Sequence, residues 1–303
     1  MNVLRWMGSQ ALIAVMWSVI ATTSWAGAPP AQRLPSALLI FPYLEVDGGR
    51  DTRIELVNLS GDSQTVNCFY VDGATCNEIG FIVVLTPYQP LAWLASTGLS
   101  NTSTGAAAPP FFGQGEMKCV VMPPRPELQF HNTIQGRATV FGLDGATVSY
   151  GAVGFRRLTD GDFTGTVNLD GVTYAQCPDR LHFDVLTDRS TSTSDLILVS
   201  CSEDLLLQTR PGIGVQFLII NEFEQTFSTS VGVSCFGRLT LGSITDALTR
   251  TTAGTDTAHI ILRGSSGPLV GLVIDGVPFG ATTGTAGNEP SLQGGRSATV
   301  VFP

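Results

Sequence analysis

The sequence predicts an all-β protein made of two related antiparallel β-sandwich domains, a divergent duplication with almost no helix. Three observations predict it. Short apolar stretches alternate with polar residues at period two, as where Thr52, Ile54 and Leu56 alternate with Arg53 and Glu55; this places one face of a strand in a core. The dipeptide Asp-Gly occurs at 47–48, 72–73, 144–145, 170–171 and 275–276, and it suits the φ > 0 positions of a type I′ hairpin turn. A pattern also repeats. Asp51 to Cys68 (DTRIELVNLSGDSQTVNC) reads as strand, polar turn and strand, and a looser copy runs from Val215 through Asn221 to Cys235. Upstream, Ser36-Ala-Leu-Leu-Ile-Phe answers Ser194-Asp-Leu-Ile-Leu-Val.

Composition agrees. Of 303 residues, 14% are charged and 34 are Gly, a profile of many strands and turns. The length suits two domains, each able to bury its own core. The net charge is −9, and Lys118 is the sole Lys. An acidic chain without a basic cluster argues against nucleic acid and anionic membrane surfaces as partners.

In chain order, residues 1–26 read as a secretory signal peptide. Arg5 supplies the positive start, Ala11 to Ile20 the apolar stretch, and Ser24-Trp25-Ala26 the small residues before cleavage at Gly27. A retained N-terminal anchor is the alternative. No later segment is long and apolar enough for a membrane-crossing helix. The first domain, 27–178, opens on a strand from Ala37 to Leu44, followed by the 51–68 hairpin. Phe81 to Leu85 is a continuous apolar run, expected of a central strand. Leu91 to Leu94 carries Trp93. Thr97 to Gly115 is a long loop holding Pro109-Pro110-Phe111-Phe112. Met117 to Met122 resumes a strand, and Pro123 to Pro126 interrupts it. Hairpins follow around Asp144-Gly145 and Asp170-Gly171, the latter from Val167 to Tyr174.

The second domain, 179–303, holds strands at Leu181 to Leu186, Leu196 to Val199, Val215 to Ile220 and Phe227 to Phe236. Ser243 to Asp246 resembles a capping box and opens a turn or two of helix through Leu248. Strands at His259 to Arg263, Leu269 to Ile274 and Ala298 to Phe302 complete it, with Thr282 to Arg296 as a flexible loop.

Six cysteines, Cys68, Cys76, Cys119, Cys177, Cys201 and Cys235, favour disulfides in an exported chain. Cys68–Cys76 ranks first because Val71-Asp72-Gly73 folds their flanks together. Cys177–Cys201 comes next, and Cys119–Cys235 is the remainder.

The pattern from Asp51 to Asn58, followed after the turn by Val66-x-Cys68-x-Tyr70, resembles the opening strands of bacterial immunoglobulin-like surface domains. The wider run, with Pro87-Tyr88-Gln89-Pro90-Leu91-Ala92-Trp93 and the stretch from Gln216 to Gln225, is similar to uncharacterised exported proteins of Gram-negative bacteria. The resemblance implies immunoglobulin-like sandwiches. It brings no known activity and no catalytic residues.

The residues themselves select no chemistry. Of His131, His182 and His259, only His182 alternates with an acid, Asp184, on one strand face. A pair without a third ligand reads as a solvent-facing or hydrogen-bonded pair rather than a metal site. Gly264-Ser265-Ser266-Gly267 lacks nucleophile-elbow spacing and reads as a hairpin turn. Asp160-Gly161-Asp162 and Glu203-Asp204 are adjacent acids in turns, and nothing selects a glycosidase pair among the many carboxylates. An outer-membrane barrel conflicts with 17 Pro, six Cys and sparse Tyr. The expectation is therefore a non-enzyme without metal or cofactor: a structural or adhesive protein, secreted or periplasmic, at the cell envelope or exterior. The alternative is a carbohydrate- or peptide-binding module. Phe111 and Phe112 either plug their loop to the sandwich or meet a protein or glycan partner at the cell surface.

Overall fold

The computed structural model describes residues 34–101, 106–122, 132–159, 164–189, 192–209, 212–279 and 282–303. Residues 1–26, read from the sequence as a signal peptide, and Pro123 to Pro126, His131 and Asp160-Gly161-Asp162 lie outside them. In the first half the strands are β1 (Leu38–Val46), β2 (Arg50–Asn58), β3 (Gln64–Asp72), β4 (Glu78–Leu85), β5 (Pro90–Leu94), β6 (Leu99–Asn101), β7 (Ala106–Ala108), β8 (Gly113–Met122), β9 (Ile134–Gly142), β10 (Thr147–Gly151), β11 (Val153–Phe155) and β12 (Thr166–Leu169). In the second they are β13 (Arg180–Leu186), β14 (Thr193–Ser200), β15 (Glu203–Asp204), β16 (Ile213–Asn221), β17 (Thr226–Val233), β18 (Phe236–Thr240), β19 (Thr257–Gly264), β20 (Leu269–Phe279), β21 (Thr282–Asn288), β22 (Ser291–Gln293) and β23 (Ala298–Val301). Three single helical turns lie between Leu241 and Ala253.

Strand β1 is buried at every position, which a strand with one wet face cannot be. The reason is a stack of four sheets. The first half forms an outer sheet, β10-β9-β2-β5, and an inner one, β11-β1-β8-β3-β4; the second forms an inner sheet, β18-β14-β20-β21, and an outer one, β17-β16-β19-β13-β22. The central strands of both inner sheets, β1 and most of β14, are covered on both faces. On β14, Leu196 and Leu198 join the core shared with the second outer sheet, whereas Ile197 and Val199 join the core shared with the first half. On β3, Tyr70 turns outward to accept a 2.7 Å hydrogen bond from Trp93 Nε1. Its neighbour Phe69 turns inward, its ring 5.2 Å from that of Phe302. A small sheet, β12-β23-β15, also joins the halves by pairing Thr166–Leu169 with Ala298–Val301.

The strand pairing repeats between the halves. Strand β1 pairs with β8 and β11, as β14 does with β18 and β20. Strand β2 pairs with β5 and β9, as β16 does with β17 and β19. Asn58 and Asn221 end equivalent strands, and both are buried. The cysteines do not correspond: Cys68 lies on β3, part of a β3–β4 pair interposed in the first half alone, and Cys235 lies between β17 and β18. The 51–68 stretch is consequently not a hairpin. β2 and β3 lie in opposite sheets, joined by an arch, while β16 and β17 do form a hairpin.

Other local expectations change for physical reasons. The sequence holds a sixth Asp-Gly pair, Asp160-Gly161, outside the described residues; among the five described pairs only Gly145 and Gly171 have positive φ, and no Asp does, so none of the five is a type I′ turn. Four of the turns are held by the aspartate instead: Oδ1 of Asp47, Asp72, Asp144 and Asp170 accepts from backbone N–H groups two or three residues on. Asp275-Gly276 lies inside β20. Val167 to Tyr174 is not a hairpin, because its first arm pairs with β23. β4 is an edge strand, with Ile79 and Ile82 exposed. Ser265-Ser266 links strands of two different sheets. Ser243 Oγ donates to Thr240 O rather than capping a helix; Thr245 caps the next turn by accepting from Ala247 N. The backbone of Thr282 to Arg296 carries β21 and β22, and that of Thr97 to Gly115 carries the β6–β7 hairpin.

All six cysteines pair, as Cys68–Cys119, Cys76–Cys235 and Cys177–Cys201. The expected Cys68–Cys76 and Cys119–Cys235 are wrong. Register explains the first: Cys68 stands directly opposite Cys119 across β3 and β8, Cα to Cα 4.1 Å, and opposite Phe81 on β4. Cys76, with φ of 60°, follows the turn and reaches Cys235 in the other half.

Candidate functional site

The charges that this stack buries lie chiefly between the two inner sheets. Residues two apart on a strand share a face, so β8 directs Glu116 and Lys118 together toward the second half. Lys118 has 0% exposure. Its Nζ donates to Glu116 Oε1 at 2.6 Å and to Glu203 Oε2. Glu203 comes from β15, held in place by parallel pairing with β23. The other two carboxyl oxygens, Glu116 Oε2 and Glu203 Oε1, are buried without a hydrogen-bond partner. Burial pushes the Glu116 carboxyl up to about 8; the nearby Glu203 adds to the rise and Lys118 opposes it. Burial would lower Lys118, but the two carboxylates outweigh it and hold its ammonium above the ordinary range. Burial thus favours the protonated form of Glu116 beside the carboxyl group of Glu203.

A second cluster lies farther along the same seam. Glu45 Oε2 accepts from Arg50 at 2.7 Å and from the Tyr43 hydroxyl; Glu45 Oε1 accepts from Arg238 at 2.9 Å. Arg238, from β18, also holds Asp195 at 2.7 Å and covers the Tyr43 ring at 5.6 Å. Burial alone would raise the Glu45 carboxyl, yet the bonds from Tyr43 and Arg50 and the charge of Arg238 hold it below the usual carboxylate range. Burial raises the Tyr43 phenol. The Cys76–Cys235 bridge closes this side of the seam. A Cβ on Gly73 would come within 2.5 Å of the Phe236 ring and 2.8 Å of the Gln114 carbonyl, so only glycine lets the Asp72 turn dock there.

The residues singled out from sequence are placed as follows. Phe111 is buried, its ring 5.2 Å from Tyr70, while Phe112 is 67% exposed. The adjacent pair thus splits, one ring a plug and the other at the surface. His182 lies 3.3 Å from His259, which meets Asp184 at 2.8 Å; the other nitrogen of His182 meets Gln293 at 3.0 Å. This is a hydrogen-bonded chain on the outer face of β22-β13-β19. Among the described residues, no group of three or more His, Cys, Asp or Glu is arranged to hold a metal ion. The outer face of β10-β9-β2-β5 carries an open groove of about 1040 Å³, lined in part by Arg53, Glu55, Leu91, Arg137 and Glu289. Arg53 and Glu55 pair there at 2.9 Å, and Glu289 accepts from Gly151 N at 2.9 Å.

Sequence reasoning missed the Glu116–Lys118–Glu203 trio. A signal for half of it existed: Glu-Met-Lys opens an apolar strand, with two charges on one face and the sole Lys of the chain among them. Glu203, from 85 residues away, was marked only as one of two adjacent acids in a turn, whereas it lies buried on β15.

No family model matches this sequence, and no curated protein matches it. Among solved structures it is similar to the crystal structure of PBSX exported protein XepA, with a TM-score of 0.21 and 11% identity over 76% of this chain and 82% of that one. Among the described residues, no helix is long and apolar enough to cross a membrane.

Proposed function

We propose that this chain is an exported, non-enzymatic structural or adhesive protein of the cell envelope or exterior. In this reading residues 1–26 are removed as a signal peptide, and 27–178 and 179–303 are two immunoglobulin-like halves. The observation that supports it is the reinforcement of the seam. A disulfide with a sequence separation of 159 joins the halves, the other four cysteines also pair, and Arg238 ties Glu45 to Asp195 across the same contact. Disulfides form and persist in oxidising compartments, and cross-links that bridge long stretches of chain restrict the unfolded state most. Such a body resists unfolding where no chaperone renews it. Phe112, exposed beside the buried Phe111, is the side chain offered to a protein or glycan partner. Beads coated with the mature protein should hold under flow on at least one of glycan-, protein- or mineral-coated surfaces. Beads that hold on none overturn the adhesive reading.

The groove favours a second reading, a carbohydrate- or peptide-binding module, because it offers an arginine–glutamate pair beside apolar Leu91. A glycan and peptide array separates the two. Saturable binding abolished by Arg53→Ala places the function in the groove rather than in the loop that carries Phe112.

A further inference from the structure

The geometry points to an amide cross-link between Lys118 Nζ and Glu203 Cδ, formed by the protein on itself, with Glu116 moving the protons. It goes beyond the adhesive reading, which stands or falls separately.

An amine and a carboxyl group do not condense in water, because both are charged and hydrated. In the seam the hydration is gone, and the charged groups touch, so that a proton can pass directly from one to the other. Lys118, Glu116 and Glu203 are fully or almost fully buried, and Nζ already touches both carboxyl groups. Fixed contact supplies the proximity that solution lacks, and a dry site weakens the preference for charges over a neutral amine and acid. The ion-paired trio is also incompletely satisfied, since Glu116 Oε2 and Glu203 Oε1 have no partner. The cross-linked product satisfies it. The new amide N–H donates to Glu116 Oε1, where Nζ already donates, and the Glu116 hydroxyl donates to the one remaining Glu203 oxygen. No charge and no orphan oxygen is left behind.

The step balances without an oxidant. The ammonium passes one proton to the Glu203 carboxylate. The neutral Nζ attacks Cδ, and the Glu116 hydroxyl, lying against Glu203, stabilises the oxygen on which charge develops. Glu116 takes a proton from nitrogen and returns one to the departing oxygen. The Cδ–O bond breaks and water leaves with two of the three ammonium hydrogens. Glu116 ends as it began.

Mass spectrometry of the full mature protein, denatured and reduced, tests this. The expected mass is one water below that calculated for its own N-terminus and sequence. Trypsin should fail to cut after Lys118, and a branched peptide should join Lys118 to Glu203. A wild-type chain at the full calculated mass, cut after Lys118, overturns the proposal, and so does a branch to Glu116. This measurement needs no folded variant. Lys118→Arg and Glu203→Ala should both return the full mass. Glu116→Gln, measured on the fraction that carries the Cys76–Cys235 bridge and hence has docked halves, should also return it. Wild-type extents of cross-link in that fraction remove Glu116 from the mechanism.

Discussion

At the scale of single residues, the seam carries a pH dependence whose sign is fixed by Glu116. Its folded-state carboxyl titrates near 8 against an ordinary 4.5, so the folded state holds a proton that the unfolded state has released. The stability it contributes is fully present below the unfolded value and is lost as pH rises through the folded one. The unfolding midpoint of the wild type, followed by calorimetry, should therefore fall more steeply between about pH 5 and about pH 8 than that of Glu116→Gln. Equal slopes would remove Glu116 as the source. The two adjacent phenylalanines give a second contrast. Phe111 packs on Tyr70 and Phe112 faces solvent. Phe111→Ala should cost about 3–5 kcal/mol in urea unfolding, and Phe112→Ala should stay within about 0.5 kcal/mol. A large loss on Phe112→Ala would mean that the fold itself needs that ring. The sequence marked the pair as unusual; it could not say which ring was covered, because the β7–β8 connection that carries both rings had no readable register.

At the scale of elements, the repeated asparagines outlast the differences between the halves. Asn58 Nδ2 donates to the carbonyls of Asp62 and Thr86, and its Oδ1 accepts from Ser60 N. Asn221 Nδ2 donates to the carbonyl of Ala253, and its Oδ1 accepts from Phe223 N and Gln225 N. One side chain thus organises an arch in one half and a hairpin in the other. Either Asn→Ala change leaves backbone groups unpaired at the end of a strand and should cost about 1–3 kcal/mol. Chemical denaturation of the two variants measures this, and a neutral result at either position would break the equivalence. The repeated Asn was legible because it is a local device. Whether the return strand pairs with its predecessor or crosses to the other sheet depends on the inserted β3–β4 pair, which has no local signature.

At the scale of the whole molecule, the halves depend on each other. Cut from the second half, residues 27–178 would expose the inner face of β11-β1-β8-β3-β4, including Leu38, Ile40, Phe69 and the charged pair Glu116–Lys118, and β12 would lose β23. Each large apolar side chain so exposed forfeits about 1.5–3 kcal/mol, and the buried ions lose Glu203. The fragment 27–178 should fail to fold as a monomer, read as loss of near-ultraviolet dichroism or as aggregation on size exclusion. A monomeric fragment with cooperative unfolding would show instead that each sandwich stands alone.

The sequence by itself determined the all-β class, most strand positions and the paired state of the cysteines. Each of these follows from period-two alternation, turn residues or cysteine count, all of which act over a few neighbours. Only the tertiary structure decided which cysteines meet, which strands share a sheet, and that β8 and β15 bring Lys118 to Glu203. Those facts depend on register between segments far apart in the chain, and the burial that gives a lone lysine its chemistry exists only once four sheets have stacked around it.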